Sequence, residues 1–301
     1  MSVIPVKYKG YCQGVVLAIS IALKTKKEHP NEKITILGML VHNTHVVNKL
    51  KEEGIEVIED KTKSRLELLD LVNEGIVIFT AHGVSDKVRK KAKEKGLIIV
   101  DATCPDVKKT YDIIKENINK HDIIYIGKKN HPESEGIIES FENIHFVTSI
   151  EDIKDLNDLH NPLVTNQTTL SILDTKKIID KILERYPKAI INEEICNATR
   201  LRQEAILNLK DIDTLIVVGD KSSNNTKQLY NIARGINIEN VYFLDSALDL
   251  NKEMLESKKN IAITSGSSTP NSVTNQVIET IKKYIDTDIF ELPKEIDIRL
   301  L

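Results

Sequence analysis

Residues Asp101–Val107 read "DATCPDV", a cysteine set between an apolar, strand-like run and the start of a helix. Two further segments repeat the arrangement: "GYCQGV" at Gly10–Val15 and "EEICNAT" at Glu193–Thr199. They hold all three cysteines of the chain, Cys12, Cys104 and Cys196, spaced 92 residues apart in both intervals. A constant interval and a constant strand-to-helix position argue for one structural unit used three times.

Outward from each cysteine the same alternation recurs. After Cys12 come a helix, the strand "KITILG", the turn "VHNTH", a helix, "IEVI", a helix, "GIVIFT" and the turn "AHGVSD". After Cys104 the order is helix, "DIIYIG", "NHPESEG", helix, "IHFV", helix, "PLVT" and "NQTTLS". After Cys196 it is helix, "TLIVVG", "SSNNT", helix, "VYFL", helix, "IAITSG" and "SSTPNS". Ile/Val runs alternating with lysine-rich helical segments predict parallel sheets with helices on their faces. The period is too long for a solenoid repeat. The expected fold is therefore α/β, with three small domains of largely parallel sheet. They cover 1–103 with Cys12, 104–195 with Cys104 and 196–284 with Cys196, followed by a tail at 285–301.

The 301 residues are 41% hydrophobic, enough to fill several cores. A net charge of −3 with both signs interspersed leaves no footprint for nucleic acid or an anionic membrane surface. The longest apolar stretch near the N-terminus, Val15–Leu23, has nine residues, against the roughly 20 needed to span a bilayer. Lys7 and Lys9 precede it, but no small-residue cleavage site follows, so the expectation is a cytoplasmic protein. Three cysteines cannot all pair within one chain, and a reducing compartment disfavours disulfides.

The turns share a register. One follows each cysteine by 27 to 30 residues, at His42, His131 and Ser223, and a second by 64 to 72 residues, at His82, Thr168 and Ser268. Ligands of open α/β sheets collect at the carboxyl ends of strands, where such turns lie. Three units around a pseudo-threefold axis would bring three thiols and six polar turns to one centre.

Buried cysteines are common, but unrelated ones need no equal spacing. A structural zinc site normally uses close pairs such as C-x₂₋₄-C, and none exists here. Thiolates also hold iron–sulfur clusters, whose cubane form ordinarily takes four. Three would leave one iron open to act on a substrate oxygen as a Lewis acid. Most of the turns carry Ser, Thr, Asn or Asp suited to capping a helix, and helix N-termini attract anions. Four of them offer at most about +2 of charge, which suits a diphosphate. Glu133 in "NHPESEG" adds an acid beside His131, and Thr168 a hydroxyl for a proton relay.

Taken together these segments resemble the LytB-type family of 4-hydroxy-3-methylbut-2-enyl diphosphate reductases. The resemblance covers nearly the whole chain, through "GYCQGV", "LVHNTHVV", "AHGVS", "DATCP", "GKKNHPESEG", "NQTTLS", "CNAT" with "RQEA", "SSNNTK", "SGSSTP" and "FELPKEI". It implies a cloverleaf of three α/β domains around a [4Fe–4S] cluster with three cysteine ligands and one open iron. It implies reductive dehydroxylation of an allylic alcohol diphosphate to isopentenyl and dimethylallyl diphosphates, the last step of the methylerythritol phosphate route. The electron donor would be ferredoxin or flavodoxin with its reductase. By motif, Cys12, Cys104 and Cys196 hold the cluster, and His42, His82, Ser223, Asn225 and Ser268 bind diphosphate. His131, Glu133 and Thr168 match the groups around the substrate hydroxyl and its proton supply.

Two positions depart from the family pattern. Leu17 stands where a basic residue is usual, and Asn224 where many members have serine; an amide still donates to phosphate, so Asn224 joins the expected contacts. The competing readings are an iron–sulfur hydro-lyase acting on a small anionic hydroxy substrate, which would turn over without an electron donor, and a cluster carrier, which would have no use for the acid and histidine register.

Overall fold

In the computed structural model, which describes Met1–Leu301, the apolar runs form twelve strands in three four-stranded sheets. The chain opens with β1 (Ser2–Pro5), α1 (Gln13–Glu28), β2 (Ile34–Leu37), α2 (Thr44–Glu52), β3 (Glu56–Ile58), α3 (Arg65–Asp70), β4 (Ile76–Phe79), α4 (Asp86–Glu94) and β5 (Ile98–Asp101). It continues with α5 (Pro105–Asn117), β6 (Ile123–Ile126), α6 (Pro132–Ser140), β7 (Ile144–Val147), β8 (Leu163–Asn166), α7 (Ile172–Arg185) and β9 (Ile190–Ile191). The last elements are α8 (Asn197–Leu207), β10 (Thr214–Val218), α9 (Asn224–Arg234), β11 (Asn240–Leu244), β12 (Asn260–Ser265) and α10 (Asn271–Thr287).

The sheet orders are β3-β2-β4-β5, β7-β6-β8-β9 and β11-β10-β12-β1, every pairing parallel. Each sheet repeats one pattern, with the second strand outside the first, the third on its other side and the fourth beyond the third. The central strands β2, β4, β6, β8 and β10 are buried along their whole length. Burial on both faces is why they read as unbroken apolar runs and not as alternation. The third sheet takes its fourth strand from the N-terminus, since β1 pairs with β12. The repeat gives no sign of this pairing.

Successive side chains leave a strand on opposite faces, and each face meets its own helices. In the first sheet Leu68 and Leu69 of α3 and Val88 and Ala92 of α4 cover Leu37, Val77 and Phe79. In the second, Ile178 and Ile182 of α7 cover Ile124 and Val164, while Ile114 and Ile137 cover Ile123 and Tyr125. In the third, Val273, Val277 and Ile281 of α10 cover Ile216 and Ile263, and Leu229 and Ala233 of α9 cover Leu215 and Val217. Each such Val, Leu, Ile or Phe side chain contributes about 1.5–3 kcal/mol relative to exposure.

Two of the expected connecting helices are short 3₁₀ turns instead. Glu151–Asp155 follows β7, and Ala247–Asp249 with Lys252–Met254 follows β11. In both places a carboxylate caps the start of the turn: Asp152 accepts from the amides of Thr148 and Ser149, and Asp249 from those of Asp245 and Ser246. The chain separates into two compact units. One comprises Met1–Val16, His42–Lys49 and Asn197–Leu301, and the other Leu17–Val41 and Leu50–Cys196. No helix is long and apolar enough to cross a membrane.

Candidate active site

Between its first and third strands each sheet has a topological switch point, the place where open α/β sheets bind ligands beyond the carboxyl ends of their strands. All six turns follow those strands. His42, His131 and Ser223 come after β2, β6 and β10, and His82, Thr168 and Ser268 after β4, β8 and β12.

The cysteines follow the fourth strands and are held alike. The amide of Cys12 donates to the carbonyl of Ser267 (3.0 Å), that of Cys104 to Ala81 (2.9 Å) and that of Cys196 to Thr168 (3.1 Å). Each acceptor lies two residues past the end of a third strand. A helix starts at the residue after every cysteine, at Gln13, Pro105 and Asn197. Unpaired amides there favour negative charge, and the amide of Val15 donates to the Cys12 sulfur at 3.4 Å. None of the three cysteines is in a disulfide, and each is partly exposed. No three His, Cys, Asp or Glu side chains are grouped to hold a single ion. Three equivalent thiols without a local chelating pair are the donor chemistry of a cluster, not of a closed zinc site.

The unit containing Leu50–Cys196 gathers the acid. Glu133, in the first turn of α6, is 2% exposed. Its Oε1 accepts from the amide of Thr168 (2.7 Å) and its Oε2 from the Thr168 hydroxyl (2.9 Å). Burial pushes its pKa up to about 7, against the lowering effect of these two hydrogen bonds, with the charge of Asp106 adding to the rise. The carboxyl therefore carries a proton through part of the physiological range and has a hydroxyl to share it with. His131 caps α6 by accepting the Glu133 amide on Nδ1 (3.2 Å), which places its ring proton on Nε2. The ring of His82 meets that of His131 edge-on, with centroids 5.6 Å apart. Lys109 of α5 bonds Glu194 at 2.9 Å, joining the helix that Cys104 begins to the segment before Cys196.

The other unit gathers His42, Ser223, Asn224, Asn225 and Ser268. Ser268 donates to the carbonyl of His42 at 2.9 Å, and Ser223 caps α9 by accepting the Thr226 amide. Asn225 accepts from the amide of Ser267 (3.0 Å) and donates to Thr199 Oγ1 (3.1 Å). Ser223, Asn224, Asn225 and Ser268 are all buried.

The sequence reading does not single out Asp220 or His45, which hold these turns, whereas Gln167 stands beside Thr168 in "NQTTLS". Asp220 accepts from the amide and hydroxyl of Thr44 at 2.7 and 2.6 Å and from the amide of Ser222. Burial works against its charge, but those hydrogen bonds hold its pKa below the usual range. His45 bonds Asp245 at 2.8 Å, and that bond raises the imidazole pKa while burial opposes it. Gln167 is wholly buried and accepts from the Lys128 amide and Ser134 hydroxyl while donating to Thr169. Asp220 lies two residues before "SSNNT" and His45 is the last residue of "VHNTH", so their nearness to those turns was the available signal.

Switch-point turns, a buried acid bonded to a hydroxyl and three cysteines in matched positions suit an enzyme, and the relatives of this chain make its class an oxidoreductase. The model of the family described as LytB protein matches residues 3–282, and the chain belongs to that family. A 4-hydroxy-3-methylbut-2-enyl diphosphate reductase from Brevibacillus brevis is 44% identical over 94% of this chain and 92% of its own length. One from Geobacillus kaustophilus is 43% identical over 96% and 92%. The solved E-1-hydroxy-2-methyl-but-2-enyl-4-diphosphate reductase of Plasmodium falciparum has a TM-score of 0.85 at 33% identity, covering 92% of this chain and 86% of that one. A second solved (E)-4-hydroxy-3-methyl-but-2-enyl diphosphate reductase, described as the terminal enzyme of the non-mevalonate pathway, has a TM-score of 0.67 at 30% identity, covering 94% and 100%.

Proposed function

We propose that this chain reduces (E)-4-hydroxy-3-methylbut-2-enyl diphosphate to isopentenyl and dimethylallyl diphosphates in the cytoplasm, drawing electrons from a ferredoxin or flavodoxin. Family membership and identities above 40% over nearly the full length support the activity. The residues that carry it, and their grouping into 1–103, 104–195 and 196–284 with a tail at 285–301, are our reading of the repeat. Cys12, Cys104 and Cys196 would hold a [4Fe–4S] cluster with one open iron. When bound, the cluster supplies electrons and a Lewis-acidic site.

The chain's own residues do the rest. His42, His82, Ser223, Asn224, Asn225 and Ser268 bind the diphosphate through hydrogen bonds and helix N-termini. Thr168 and His131 orient the hydroxyl-bearing end, and Glu133 delivers the proton through the Thr168 hydroxyl. The reaction takes up two electrons and two protons, breaks the carbon–oxygen bond and releases water.

The observation that carries this reading is Glu133, buried, proton-bearing near neutral pH and bonded twice to Thr168, whose carbonyl receives the Cys196 amide. The test is anaerobic reconstitution followed by assay with and without a reduced donor. Donor-dependent formation of both isoprenoid diphosphates is expected, with iron content collapsing when any one cysteine is replaced by serine. Turnover without a donor would assign the chain to the hydro-lyases, and reconstitution that yields only tetrahedral zinc would remove the cluster.

A further inference from the structure

Arg202 of α8 is 5% exposed. Its Nη2 donates to the carbonyl of Gly10 at 2.7 Å, and its Nη1 to the carbonyl of Ala198 at 2.8 Å. Gly10 precedes Cys12 by two residues, and Ala198 follows Cys196 by two. Two residues of chain reach at most about 7 Å, so both carbonyls are close neighbours of proposed cluster ligands. The Gly10 loop is gripped from other sides as well. Its amide donates to Ser265 Oγ at 2.7 Å, its φ is +72°, and a Cβ there would lie 1.6 Å from Oδ1 of Asn271. Only glycine fits, and the loop has one shape.

A guanidinium is charged at every working pH, and its planar fork can hold two acceptors at once. Burying it is costly, which argues for a use beyond packing. A fixed positive charge near a redox centre favours the more negative, reduced state. We propose that Arg202 is a positioning residue of the metal centre: its fork sets the Cys12 loop, and its charge eases electron uptake. This rests on the assignment of the cysteines as cluster ligands made above.

The test uses the full chain reconstituted with iron and sulfide without oxygen, compared with Arg202→Met and Arg202→Lys. Iron per chain, release of iron to a chelator and the reduced fraction against ambient potential are read by spectroscopy. At the potential that half-reduces the parent, the reduced-to-oxidised ratio of Arg202→Met should fall about tenfold, a midpoint lower by about 59 mV for one electron. Arg202→Lys keeps the charge and should titrate close to the parent, yet lose iron several-fold faster because one ammonium cannot reproduce the fork. A methionine variant that holds its iron and titrates at the parent's potential overturns the inference. If that variant holds no cluster, the lysine variant decides, and release at the parent's rate overturns it. A parent chain that takes up no iron–sulfur cluster sinks the proposed function itself, and the inference with it.

Discussion

Glu133 and Asn225 occupy the same place in two sheets. Each lies seven residues past the end of a first strand, as the second residue of the helix that follows. Two residues earlier stands the helix cap, His131 in one case and Ser223 in the other. Each side chain accepts a hydrogen bond from an amide two residues past a third strand, that of Thr168 at 2.7 Å and that of Ser267 at 3.0 Å. The first sheet has no such strut: its corresponding residue, Thr44, bonds Asp220 instead. One scaffold therefore supplies the same buried acceptor twice, once as an acid and once as an amide. One of the amide's two N–H donors is bonded to Thr199, whereas the acid's second oxygen meets a hydroxyl. Position alone gives a strut, and at Glu133 the strut is also a group that can hold a proton.

The largest expected effect comes from making the two places alike. Glu133→Gln keeps an oxygen for the Thr168 amide, as Asn225 does for Ser267, but has no proton to give. Turnover should fall by about 10²–10⁴-fold, with cluster and substrate binding retained. Single-turnover rates on reduced protein decide the matter, and a parent-like rate would show that the acid is only a strut.

The same substitution should change the stability profile. Glu133 has a folded pKa of about 7, above that of the unfolded chain, so the folded state holds its proton more tightly. Its contribution is complete below about pH 4.5 and is lost as pH rises to about 7, an effect of roughly 3 kcal/mol. Denaturant titrations between pH 4 and 8 should show this slope in the parent and its loss in Glu133→Gln. No matching change is expected for Asn225→Ala, which removes no titrating group.

Asn225→Ala should weaken binding of the diphosphate substrate by about 2 kcal/mol if the proposed charge-assisted bond is lost. The dephosphorylated diol is the control. Equal weakening of both ligands would mean that Asn225 acts only by holding the Ser267 turn and touches no phosphate.

How much of this was legible in the sequence depends on what the pattern records. Equal cysteine spacing and unbroken apolar runs record buried parallel strands, so the three sheets and the switch-point turns could be read directly. The run Ser2–Pro5 carries no cue that it completes the third sheet, because its partner strand lies near the other end of the sequence. Register singled out Glu133 and Asn225 as candidates without saying where their side chains point, and a side-chain direction is a tertiary property. Arg202 opens the quoted segment "RQEA", but nothing in the sequence says that its guanidinium is buried against backbone carbonyls. The short turns begun by Asp152 and Asp249 escaped for a related reason: their carboxylate-to-amide bonds start a helical turn, and the apolar period does not record how soon it stops.

The smallest expected effect separates cap from ligand. Ser223 and Ser85 are both buried serines that cap helices, accepting from the amides of Thr226 and Val88. Ser223 follows a first strand in the third sheet and belongs to the proposed diphosphate set, while Ser85 follows a third strand in the first sheet and does not. Replacing either by alanine removes one cap bond and should cost about 1 kcal/mol of stability. Thermal or denaturant unfolding should therefore show two similar losses. Substrate titrations should not: Ser223→Ala should also weaken the diphosphate, and Ser85→Ala should leave its affinity at the parent's value. If the two variants bind the diphosphate equally well, Ser223 is a cap like Ser85, and the phosphate contacts of the third sheet rest on Asn224, Asn225 and Ser268 alone.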